Sequence, residues 1–128
     1  MIRFGKLVQQ LVLMAAFLWS VGNASALEIL NAQVVGAGEE AALEMQVVYG
    51  GGCKKHQFEF QMDNCMESFP VQCRARLVDL TTDDFCEALI SETVTFSLRE
   101  FGLLDAYYER ASLEISASFG KPAVVRLP

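Results

Sequence analysis

Groups able to do chemistry are scarce in this chain. Its 128 residues include one histidine, so any Ser-His-Asp or Cys-His site has to be built on His56. No serine sits in a Gly-x-Ser-x-Gly elbow, which removes the usual hydrolase nucleophile. Cys-x-x-Cys is absent, and with it the paired thiolates of the common zinc sites and the Cys-x-x-Cys-His of c-type haem attachment. There is no EF-hand loop. Gly50-Gly51-Gly52 leads into a strand pattern instead of a helix, so it is not a phosphate loop. Basic side chains are few, 10 against 16 acidic ones, and a surface of that sign repels nucleic acid and anionic lipid. No internal repeat, low-complexity segment or linker divides the chain. These absences point away from an enzyme and call for no cofactor.

What is present begins with an export signal. Arg3 and Lys6 make a short positive region, and Leu7 to Val21 is apolar apart from Gln9, Gln10 and Ser20. Ala24-Ser25-Ala26 then places small side chains where a signal peptidase needs them, so cleavage is expected before Leu27. The apolar run falls short of the roughly 20 residues that span a bilayer. No cysteine lies in or just after the leader to take a lipid, and no later run is long or apolar enough for a membrane span. The expectation is a soluble periplasmic or secreted chain. Arg3 and Lys6 leave with the leader, so residues 27–128 carry 8 basic and 16 acidic side chains, net −8. That length suits one domain, with roughly two thirds of the unfolded surface buried on folding. A core of that size gains from cross-links.

Cys53, Cys65, Cys73 and Cys86 are even in number and all lie beyond the leader, the usage expected of two disulfides in an oxidising compartment. Three connectivities are open. Position prefers Cys65–Cys73, which flank a turn-like segment from Met66 to Gln72, and leaves Cys53 for Cys86. The competing use is a metal site. Cys53-Lys54-Lys55-His56 has Cys-x-x-His spacing, and His56 with Met62 and Met66 would suit soft copper. Methionines, however, are ordinary core fillers. Asp79, Asp83, Asp84 and Glu87 offer oxygen atoms to a hard cation, although acids on a loop are usually a solvated surface.

Alternation with period two dominates the rest, the mark of strands with one dry and one wet face. Leu43, Met45, Val47 and Tyr49 share one phase. So do His56, Phe58, Phe60 and Met62; Val94, Phe96 and Leu98; and Leu113, Ile115, Ala117 and Phe119. Weaker runs over Glu28 to Val35, Val71 to Leu80 and Ala123 to Leu127 bring the count to about seven. Glycine-rich breaks and Phe69-Pro70 separate them. The expectation is an all-β chain: an antiparallel sandwich, immunoglobulin-like in outline. One short helical turn is expected within Thr82 to Ile90, with Asp83 and Asp84 at its N-terminus. Phe101 to Tyr108 reads as a loop or short helix. Its Phe101, Leu103, Leu104, Tyr107 and Tyr108, with Phe69, either form a binding patch or cap the core. His56 falls in phase with Phe58 and Phe60, so it should point inward or sit at the core's edge, neutral and bonded to a backbone carbonyl or a carboxylate, with Asp83 or Asp84 as candidates.

Tyr49-Gly50-Gly51-Gly52-Cys53-Lys54-Lys55-His56-Gln57-Phe58, then Asp84-Phe85-Cys86-Glu87-Ala88 and Thr95-Phe96-Ser97-Leu98, resemble a loose group of small secreted bacterial proteins and lipoproteins. The group shares a Gly-Gly-Cys-x-x-His-x-Phe and Asp-x-Cys-x-Ala pattern. The resemblance covers residues 47–104 and implies an exported β domain of uncharacterised role. It favours pairing Cys53 with Cys86. Two functions follow as expectations: a binding or structural module of the cell envelope with a protein or small-ligand partner, or a periplasmic metal-binding protein that uses His56 with nearby Met and Asp side chains.

Overall fold

A computed structural model describes residues 26–128; the leader reading of the segment before them lies outside the described residues. The alternating runs become seven strands: β1 (Leu27–Val35), β2 (Ala42–Gly51), β3 (Phe58–Met66), β4 (Gln72–Asp79), β5 (Ala88–Ser97), β6 (Ser112–Ser116) and β7 (Ala123–Arg126). They form a three-stranded sheet in the order β1-β2-β5 and a four-stranded sheet in the order β3-β4-β6-β7. The two sheets face each other as a sandwich. Every ladder is antiparallel except β4 with β6, which runs parallel from Gln72↔Ser112 to Arg76↔Ser116. The expected wholly antiparallel arrangement is corrected at that one pair. The parallel pairing follows from the crossover: after β4 the chain visits the other sheet as β5 and returns to lie beside β4.

The dry phases meet in the middle. Leu43, Met45 and Val47 from β2 oppose Cys73, Ala75 and Leu77 from β4 and Leu113 and Ile115 from β6, all buried. Each large aliphatic side chain so enclosed contributes about 1.5–3 kcal/mol. The wet phases carry Glu44 and Gln46 on one outer face and Arg74, Arg76 and Glu114 on the other, all outside the buried set.

Both disulfides form as the resemblance and the positions favoured: Cys53–Cys86 and Cys65–Cys73. Cys65 and Cys73 are direct cross-strand neighbours in the β3–β4 hairpin. The helical turn expected over Thr82 to Ile90 is absent. Residues 81–87 have no regular structure, and Ala88, Leu89 and Ile90 open β5. Asp83 takes a left-handed φ of 64°, which breaks any helix there. The chain after β5 is a turn followed by a single 3-10 turn, Ala106–Tyr108, capped by the Asp105 side chain accepting from the Tyr107 N–H.

Candidate functional site

One end of the sandwich holds the chemistry. The inward phase of β4 runs Cys73, Ala75, Leu77 and then Asp79, so the strand ends by pointing a carboxylate into the core. His56, just before β3, points into the same space and is the buried polar residue at this end, 5% exposed. Asp84 reaches it from the irregular 81–87 segment. The imidazole donates from Nδ1 to Asp79 Oδ2 at 2.5 Å and from Nε2 to Asp84 Oδ2 at 2.7 Å. All three side chains are almost wholly enclosed. Asp79 Oδ1 also accepts from the Thr81 N–H.

Asp84 is held from several sides. Its carboxylate accepts from the backbone N–H groups of Gly52, Cys53, Lys54 and Cys86 at 3.1–3.3 Å. These donors come from both arms of the Cys53–Cys86 disulfide, so the carboxylate and the covalent bridge join the same two segments. The absent helical turn has its reason here: the Asp84 carboxylate collects those backbone donors in place of a helix N-terminus. The hydrogen bond from His56, opposed by burial and aided by the Cys86, Cys53 and Lys54 N–H groups, pushes its pKa down to about 2. Burial alone would pull the His56 imidazole down. The hydrogen bonds to Asp84 and Asp79 and their negative charge outweigh it and hold the imidazole above its usual 6.5. Two carboxylates facing the two ring nitrogens thus favour the protonated imidazole over the neutral one expected from the sequence.

The aromatic wall explains the surroundings. The Tyr49 ring lies 4.4 Å from the His56 ring, centroid to centroid, and 5.2 Å from that of Phe58. Its hydroxyl donates to Glu92 Oε2 at 2.6 Å. Burial, then that hydrogen bond, pushes the phenol up to about 12. Gly51 makes the close approach possible: a Cβ there would sit 2.5 Å from Asp84 Oδ2 and 2.7 Å from His56 Nε2. Of the three glycines, this is the one the cluster requires for space.

Among the residues expected to act, the structure brings His56, Asp79 and Asp84 together and leaves the others apart. Asp83 is exposed and is not the histidine's partner; Asp79 is. The run Cys73, Ala75, Leu77, Asp79 carried that signal, since one phase of β4 contains all four. Glu87 is exposed. Met62 packs against the core. Met66 is 61% exposed at the far end of β3, roughly 25 Å along the strand from Phe58 at about 3.3 Å per residue. Among the described residues the grouping of metal-ligating atoms is Cys53, Asp84 and Cys86, and its two sulfurs are joined to each other.

The apolar residues of the 101–108 segment separate as well. Leu103 is buried. Phe101 packs edge-on against Phe60 and Phe96, and Tyr108 is half-buried against the core. Leu104 and Tyr107 remain partly exposed, and Phe69 is fully so. Phe69, Pro70, Val71, Ala106, Tyr107, Glu109 and Arg110 line an open cleft of about 400 Å³.

Comparison with known proteins finds no matching family model, no similar curated protein and no similar solved structure.

Proposed function

We propose that this chain is an exported, disulfide-stapled module of the cell envelope that works by binding a protein or small ligand through its surface, without catalysing a reaction. The observation that carries this reading is the state of His56. Both ring nitrogens are engaged by buried carboxylates, so the imidazole has no lone pair to offer a metal and no free position from which to take a substrate proton. The groups that look like a site are therefore fastening a loop to the sandwich. Binding falls to the exterior, where Phe69 and Tyr107 border the cleft at one end of the fold. Aromatic rings flanked by Glu109 and Arg110 suit a contact with an apolar centre and a polar rim.

Export is supported by the small-residue site at Ala24-Ser25-Ala26, by β1 beginning at Leu27, and by two disulfides, which persist in oxidising compartments. No helix of the described residues is long and apolar enough to cross a membrane.

Intact mass on the protein collected outside the cytoplasm tests the compartment. The expected species starts at Leu27, weighs two hydrogens less per bridge and takes up no alkylator. A chain that keeps its leader or carries free thiols contradicts it. Thermal melting with zinc or copper tests the role. The module should melt at the same temperature with either ion, whereas a metal protein would be stabilised in proportion to the logarithm of metal concentration. Loss of such a shift in His56→Ala would assign the metal reading and sink this one.

A further inference from the structure

A sandwich of two open sheets has four edge strands, and three of them are guarded. β1 is interrupted by a bulge between Ile29 and Asn31, and Phe119 bridges to it at Glu28. β3 is bulged between Met62 and Cys65 and carries Glu59 and Asp63. β7 is four residues long. Short length, bulges, charge and coverage are the ordinary means of blocking strand addition. β5 lacks all of these except one inward-pointing charge. It pairs with β2 without a break from Ala88 to Ser97, holds no proline or lysine, and its one charge, Glu92, turns inward to accept the Tyr49 hydroxyl. Among the described residues nothing pairs with its outer edge.

The direction of its backbone groups can be counted. Leu98 N–H donates to Ala41 O, in register with the β2–β5 ladder. Residues of an antiparallel pair alternate between facing their partner and facing away. Phe96, Val94, Glu92 and Ile90 therefore point their N–H and C=O at β2, and Leu89, Ser91, Thr93, Thr95 and Ser97 point theirs outward.

We propose that β5 is an interaction edge whose partner is β5 of a second copy of this chain, added antiparallel about a two-fold axis at Thr93. In that register Thr93 faces Thr93, Ser91 faces Thr95 and Leu89 faces Ser97, so every outward N–H and C=O between Leu89 and Ser97 finds its complement. On the inner face Ile90 meets Phe96 and Glu92 meets Val94, with no like charges opposed. Moving the axis one residue to Glu92 sets two carboxylates against each other, which cross-strand pairing disfavours. Charge at the ends agrees with this register: Arg99, in the turn after β5 and 3.4 Å from Glu39 of its own chain, lies towards the exposed Glu87 of the second copy at both ends of the pair. The product is a continuous six-stranded sheet with the two-fold contact of an isologous dimer.

Sedimentation velocity of the purified protein across a concentration series tests this. The expected result is a reversible dimer, weakened at least tenfold by Thr93→Lys, which places two ammonium groups across the axis while leaving every β2–β5 bond in place. Glu87→Arg and Arg99→Glu should each weaken the dimer, and together they should restore it. Amide exchange of Thr93 and Thr95 should slow as concentration rises. A monomer at every concentration overturns the proposal. So does a dimer indifferent to Thr93→Lys with circular dichroism showing that the variant is folded, because its contact then lies elsewhere.

Discussion

At the scale of single residues, His56 decides how the molecule should be understood. An imidazolium buried between two carboxylates is stabilised by their charge and their hydrogen bonds at the cost of desolvating all three groups. Removing it leaves two carboxylates enclosed without their cation. His56→Ala should therefore destabilise the fold by about 3 kcal/mol, the typical consequence of breaking one side of a buried pair, read as a lower urea midpoint. Nitrogen NMR of the ring gives a second expectation. Its midpoint should lie above 6.5, in the direction set by Asp84 and Asp79, with both nitrogens protonated below it. A midpoint at or under 6.5 would mean that desolvation prevails. Gly51 belongs to the same argument. A methyl group there collides with Asp84 and His56 together, so Gly51→Ala should cost about 2 kcal/mol as overpacking, while Gly50→Ala, which meets nothing within 4 Å, should be close to neutral.

At the scale of elements, the two disulfides do unequal work. Cys53–Cys86 closes a span of 33 residues and Cys65–Cys73 one of 8. Loop-closure entropy assigns nearly 4 kcal/mol to the first and about 2.5 kcal/mol to the second. Replacing the Cys53–Cys86 pair by serines should thus lower the urea midpoint further than replacing Cys65 and Cys73. It should also speed amide exchange in residues 81–87, which the hydrogen bonds of Asp84 and Thr81 would then hold without the bridge. The strands were legible because half-buried strands write their burial into alternate residues: Leu43, Met45, Val47 and Tyr49 are all buried. The phase of His56 with Phe58 and Phe60 pointed to the core or its edge, and the structure buries it. Three features were not legible, each because a distant partner decides it. Asp83 and Asp84 look alike in sequence, and only the Cys53 segment across the bridge shows which one is enclosed. The parallel β4–β6 pair depends on where the chain returns after β5. Leu103 and Tyr107 belong to one apolar segment, yet the core accepts Leu103 and leaves Tyr107 partly outside.

At the scale of the whole molecule, a net acidic chain of modest core closes one end of its sandwich with a covalent bridge and an ion cluster. That closure makes stability depend on pH in two limbs. Asp84, depressed from 3.8 to about 2, contributes stability that is present above pH 3.8 and is lost as pH falls towards 2. His56, raised above 6.5, contributes stability that is complete below pH 6.5 and is lost as pH rises through its elevated pKa. The two together place the maximum contribution of the cluster between about pH 4 and 6.5. A histidine that served as a metal ligand would behave oppositely, since a ligand must be deprotonated and metal binding strengthens as pH rises. The urea midpoint of the intact protein as a function of pH, with and without zinc ions, and beside His56→Ala, is therefore the most direct test. The account predicts a midpoint that falls above pH 6.5 in the natural protein, a shallower fall in His56→Ala, and curves that zinc leaves in place. A midpoint that climbs above pH 6.5 when zinc is present, and does so only while His56 is there, would contradict it.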